Sequence, residues 1–133
     1  MTLRDFIEQP FEPYTIRRFS LGKKLNKDLF SIMQILNNDY CLYTHEIDSY
    51  GIKHVITRHG SDQTPIVYED FEKIQFIICD PDTVSYVGLS NIKTPVISYR
   101  KRMGDVLYHY FEEVRTGKKT LSMKTFYKTK ETL

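Results

Sequence analysis

Apolar positions in the first half of the chain recur at three- and four-residue spacing, and from about residue 83 they recur at two. Leu29, Ile32, Met33 and Leu36 predict a helix that starts at Asn26 or Asp28 and ends at Asn37-Asn38-Asp39. Tyr40 to Ile47, rich in aromatic and branched residues, predicts a short strand. A second helix is expected from about Tyr50 to His59, stopped by Gly60. Tyr68, Phe71, Ile74, Ile77 and Ile78 predict a third, closed by Asp80-Pro81 because proline cannot continue it.

The alternating half predicts strands near Val84 to Leu89, Pro95 to Arg102, Asp105 to Arg115 and Lys119 to Lys128, with turns at Met103-Gly104 and Thr116-Gly117. Helices first and a meander second make the fold class α+β, with N-terminal helices packed on a C-terminal four-stranded antiparallel sheet. Residues 1–25, with Pro10, Pro13 and Gly22, read as an irregular arm held by Phe6, Phe11, Tyr14 and Phe19. Residues 26–128 form one domain and residues 129–133 a tail, since 133 residues suffice for one core.

Composition excludes several classes. Phe76 to Cys79 is among the longest apolar runs and falls far short of the roughly 20 residues of a membrane helix, and charges at Arg4, Asp5 and Glu8 break the start where a signal peptide would be apolar. A cytoplasmic protein is expected. Cys41 and Cys79 lack metal-site spacing and are expected to be buried small hydrophobes. The scattered glycines form no phosphate loop, so no cofactor is indicated.

The net charge of +2 hides an asymmetry. Residues 1–90 hold nine Lys/Arg against thirteen Asp/Glu, whereas residues 91–133 hold ten against four. A basic sheet is the footprint of a phosphate-backbone partner, and equally of an edge strand guarded by lysines.

Candidate chemistry falls in two places. His54 and His59 lie in the second predicted helix, where five residues turn about 140° beyond a full turn, so they are not at metal-ligand spacing. Arg58 shares a face with His54, while His59 shares a stripe with Ile52, Val55 and Ile56 and reads either as a cap at the helix end or as a site residue. His45 and His109 fall in strands and read as structural. In the last strand, alternation puts Leu121, Met123, Thr125 and Tyr127 on one face and Ser122, Lys124, Phe126 and Lys128 on the other, with Arg115 and Lys118 flanking the glycine turn.

The pattern His-x4-His-Gly at 54–60, the Asp-Pro-Asp stop at 80–82 and the hairpin Glu-x-Arg-x-Gly-Lys-Lys-x-Leu-x-x-x-Thr-x-Tyr-Lys at 113–128 resemble the phage-associated nucleases of the barnase, EndoU, colicin and RelE-like superfamily. The resemblance covers about residues 40–128. It implies an endoribonuclease that works without metal by attack of the RNA 2′-hydroxyl, leaving a 2′,3′-cyclic phosphate, as a phage effector or toxin with an immunity or antitoxin partner. Thr125-x-Tyr127 is similar to the Ser/Thr-x-Tyr of EndoU-type enzymes, whose other catalytic residues are two histidines and a lysine. By that resemblance His54, His59, Arg115, Thr125 and Tyr127 are expected to be catalytic, and Arg58, Lys118 and Lys128 to bind RNA, tRNA included. A catalytically inactive module of the same fold, holding nucleic acid or protein, is the alternative.

Overall fold

The computed structural model describes residues 1–131. Four helices, α1 (Leu3–Glu8), α2 (Lys27–Ile35), α3 (Ser49–His59) and α4 (Ile74–Cys79), accompany six strands: β1 (Arg18–Gly22), β2 (Thr44–Asp48), β3 (Thr83–Leu89), β4 (Pro95–Met103), β5 (Val106–Arg115) and β6 (Thr120–Lys130). The α+β class is as expected, but the sheet is larger than the expected four-stranded meander. It has six strands in the order β1-β2-β6-β5-β4-β3, and β2 runs parallel to β6 while the other pairs are antiparallel.

Of the two additional strands, β2 falls within the strand expected at Tyr40 to Ile47, and β1 falls within the arm expected to be irregular. Within the expected arm, α1 is started by a capping box between Thr2 and Asp5, and β1 pairs with β2. The strand expected from Tyr40 begins as a 3₁₀ turn at Tyr40–Leu42, capped by Asp39, and becomes extended only at Thr44. The third helix splits into a 3₁₀ stretch, Tyr68–Lys73, and α4. Of the expected tail, Thr129 and Lys130 belong to β6, and residues 132 and 133 lie outside the described residues.

Side-chain caps fix the helices that matter for the site. Asn26 accepts the Leu29 N–H at the start of α2 and donates to the Ile78 carbonyl at 2.8 Å, tying α2 to α4. Asp48 accepts the Gly51 N–H and starts α3 directly where β2 stops. At the other end Gly60 N–H donates to the Ile56 carbonyl, and a Cβ on Gly60 would fall 2.4 Å from that oxygen. Glycine is therefore required at the helix end.

One face of the sheet carries the core. Tyr99, Tyr110, Val114, Leu121 and Phe126 are buried against Leu29, Met33, Phe71, Ile74, Ile77 and Ile78. Within that core Glu112 is fully buried and satisfied three times over: it accepts from Tyr99 at 2.6 Å, from Tyr110 at 3.2 Å and from His45 Nδ1 at 2.8 Å. His45 Nε2 in turn meets the Tyr40 hydroxyl at 2.7 Å. Burial, with the Glu112 charge second, pushes the Tyr99 and Tyr110 hydroxyls well above their ordinary range, so they stay protonated donors.

The cysteine expectation fails. Cys41 and Cys79 are both exposed, on the wall of a cavity of about 750 Å³ between α2 and the end of α4. Cys41 is the middle residue of a 3₁₀ turn and Cys79 the last residue of α4, and both short segments lie at the surface.

A cleft between the helix α3 and the last strand

A one-residue irregularity in β6 builds the candidate site. Thr125 is paired with Phe111, but Met123 is paired with Glu112, so Lys124 is an extra residue without a partner on β5. Such a bulge reverses the alternation of everything beyond it. Leu121 and Met123 therefore share the core face with Phe126 and Lys128, while Thr125 and Tyr127 turn to the opposite face with Phe111 and His109. The simple alternation of the sequence, which grouped Thr125 and Tyr127 with Leu121, does not hold across Lys124.

The same stretch of β6 has no strand on its other side. β2 pairs with it only at Thr120 to Ser122, and the chain then leaves β2 as α3. Helix α3 runs alongside β6, with Gly51 so close that a Cβ there would meet Met123 Cε at 3.0 Å. The C-terminal half of α3 and the post-bulge half of β6 then enclose a cleft of about 320 Å³, lined by His54, Arg58, His59, Lys124, Thr125 and Tyr127.

His59 is the best-defined member. Its Nδ1 lies 2.7 Å from Asp62 Oδ2, and its Nε2 lies 3.5 Å from Thr125 Oγ1. Asp62 is brought there by the loop after α3, in which the Asp62 and Ile66 N–H groups both donate to the His59 carbonyl. A carboxylate at Nδ1 fixes the imidazole with Nε2 toward the cleft. The ring also stacks on Tyr127, centroids 5.2 Å apart.

Tyr127 is held on both sides. His109, its partner across β5, stacks on it at 4.5 Å with planes 12° apart, and Phe111 lies at 6.1 Å. With both faces taken, Tyr127 offers its hydroxyl edge and not its ring. Burial, followed by the nearby Arg100 charge, lowers the His109 pKa and favours its neutral form. Its Nε2 meets Thr129 Oγ1 at 3.2 Å, while its buried Nδ1 has no partner among the described residues.

Five of the eight residues singled out in the sequence, His54, Arg58, His59, Thr125 and Tyr127, thus line one cleft. The other three do not. Arg115 pairs with Thr120, seven residues before Tyr127 and roughly 20 Å away along the strand, and Lys118 lies in the turn beyond it. Lys128 is on the core face, where it donates to Asp70 at 2.8 Å beside Tyr108, which donates to the same carboxylate. Burial opposes the Asp70 charge, but the hydrogen bonds from Lys128, the Val67 N–H and Tyr108 outweigh it and hold the Asp70 pKa below the usual carboxylate value.

Lys124 is the cleft residue that the sequence reading missed. It is exposed and pairs with Glu113 at 3.5 Å, and Glu113 also accepts from Thr94. Among the described residues, no three His, Cys, Asp or Glu side chains gather as metal ligands. No helix among them is long and apolar enough to cross a membrane.

The larger cavity beside α2 collects Lys23, Lys24 and Lys27 but offers little acid–base chemistry. The Tyr40 hydroxyl there is engaged with His45 and donates to the Lys24 carbonyl.

Comparison with known proteins gives a family for the chain. No curated protein and no solved structure shows significant similarity to the chain. The profile of one family, described as phage-Barnase-EndoU-ColicinE5/D-RelE like nuclease3, matches residues 23–133, which takes in α2 to α4 and β2 to β6 together with the whole cleft. The chain belongs to this phage-associated nuclease family.

Proposed function

We propose that the protein is an endoribonuclease whose cleft between α3 and β6 cleaves RNA by attack of the 2′-hydroxyl on the adjacent phosphorus, without a metal ion. The observation that carries this reading is the convergence of two imidazoles, two cations and a Thr-x-Tyr pair on one cleft. One imidazole removes the 2′-hydroxyl proton, the 2′-oxygen bonds to phosphorus, the bond to the 5′-oxygen breaks, and the other imidazole protonates that leaving oxygen. A 2′,3′-cyclic phosphate and a free 5′-hydroxyl result. Imidazoles suit both steps because they titrate near neutrality.

His59, oriented by Asp62, takes one proton transfer and His54 the other. Arg58 and Lys124 face the charge that builds on the phosphate, and the Thr125 and Tyr127 hydroxyls orient it. Arg115 and Lys118 contact only RNA well away from the scissile linkage, and Lys128, already paired with Asp70, supports the fold beneath the cleft.

Purified protein incubated with single-stranded RNA and a chelator is expected to yield ends with 2′,3′-cyclic phosphate, while DNA, lacking the 2′-hydroxyl, stays intact. Cleavage that stops with chelator and returns with magnesium overturns the mechanism. A phage effector or toxin role, with an immunity partner, predicts growth arrest on expression in a bacterial host and relief by the His59→Ala variant.

A further inference from the structure

The strand register continues the ring stack across the sheet. Tyr127 pairs with His109, His109 pairs with Arg100, and Arg100 pairs with Thr83, so on the face away from the core a single row leads from His59 to β3. Two strand spacings, about 10 Å, separate the backbones of Tyr127 and Arg100. An arginine side chain covers much of that gap.

The cations of β4 to β6 differ in what holds them. Lys101 pairs with Asp80 and Asp82, Arg102 with Glu131, Lys124 with Glu113, Lys128 with Asp70 and Lys130 with Asp105. Among the described residues Arg100 and Arg115 of these strands have no acidic partner, and of the two only Arg100 is exposed. The nearby Asp82 carboxylate is engaged by the Arg102 N–H and Lys101. Arg58, also exposed and without an acidic partner among the described residues, stands at the other end of the same row. An uncompensated arginine on each side of a ring row suits a chain of phosphates lying across it.

We propose that Arg100 is a second phosphate contact, so that the RNA crosses the strands from α3 over Tyr127 and His109 toward β4 and does not follow β6 to the cationic tip at Lys118. This deepens the nuclease reading and rests on it: the ligand is the phosphodiester next to the scissile one. The lowered His109 pKa fits the arrangement, since a neutral ring between Arg100 and Tyr127 leaves the guanidinium free for an anion.

The test compares Arg100→Gln and Lys118→Gln with the parent on a dinucleotide, which has one phosphodiester, and on a single-stranded RNA of about ten nucleotides. Arg100→Gln is expected to lose at least fivefold more kcat/KM on the longer RNA than on the dinucleotide. It should also make the salt dependence of binding shallower by about 0.7 in the log–log slope, the value for one single-strand phosphate contact. An equal loss on both substrates, an unchanged slope, or a larger slope change from Lys118→Gln than from Arg100→Gln overturns the proposal. Binding is measured on the His59→Ala background, so the slope reads out even where cleavage does not. If the parent cuts no RNA, the nuclease reading fails while a slope lowered by Arg100→Gln still supports the contact; an unchanged slope sinks both. Arg100 is exposed, and an unshifted melting temperature confirms that the variant is folded.

Discussion

Asp62 Oδ2 lies 2.7 Å from His59 Nδ1, three residues along the chain, and this contact decides which imidazole nitrogen faces the cleft. Replacing Asp62 by Asn keeps the shape but offers an amide that can present its N–H to the ring and favour the other tautomer. The expected result is a drop in kcat of about 10- to 100-fold, with RNA binding kept. His59→Ala should cost about 100-fold or more, the range of a general acid or base. Single-turnover kinetics beside equilibrium binding separate the two terms, and a D62N variant as fast as the parent rejects the orienting role.

The stack of His59, Tyr127 and His109 makes a split prediction for Tyr127. Tyr127→Phe retains the ring and should leave the melting temperature within about 2 °C of the parent while slowing cleavage. Tyr127→Ala removes both stacking partners' contact, for which about 0.5–1.5 kcal/mol per aromatic pair is a reasonable scale, and should lower stability as well. Chemical denaturation of the two variants measures this. Equal activity of parent and Tyr127→Phe would show that the hydroxyl plays no part.

Glu112 should be the residue whose loss the fold tolerates least among the buried polar groups. Glu112→Ala leaves His45, Tyr99 and Tyr110 without their shared acceptor inside the core. Breaking such a buried pair costs about 3–5 kcal/mol, a large share of a small domain's stability. Urea unfolding should show the loss, with Tyr99→Phe milder because the carboxylate keeps two donors. A Glu112→Ala protein as stable as the parent contradicts the network.

Asp70 sets a pH dependence whose sign follows from its lowered pKa. A carboxylate held below its unfolded value contributes stability above about pH 4, and that contribution is lost as pH falls through the folded-state pKa. The stability gap between the parent and Asp70→Asn should therefore be full near neutrality and close under acid. Unfolding curves from pH 7 down to about pH 2 test it, and a gap that widens on acidification gives the wrong sign.

Periodicity was a good guide wherever one face of an element is buried, and it failed where the third dimension intervenes. The two-residue period gives β3 to β6 closely although β4, β5 and β6 bury neighbouring residues on both faces, and Leu29, Ile32, Met33 and Leu36 give α2. β1 has only Leu21 fully buried and lies at the sheet edge, so its pattern is faint. His59 shares the stripe of Ile52, Val55 and Ile56 on α3, and its ring stacks on Tyr127. The Lys124 bulge has no glycine or proline to announce it, which hid both the reversal of Thr125 and Tyr127 and the presence of Lys124 in the cleft. Lys128 reads from the sequence as a free cation because its partner, Asp70, lies 58 residues away.

The extra residue in β6 also makes the cleft sensitive to chain length in a way that side-chain chemistry does not reveal. Before Lys124 the strand is anchored on both sides, by β2 and β5; after it, only by β5 and by packing against α3. Deleting Lys124 would restore regular pairing with Phe126 still opposite Tyr110 on the core face and Thr125 still opposite Phe111, but would remove the kink of the bulge and the lysine of the cleft.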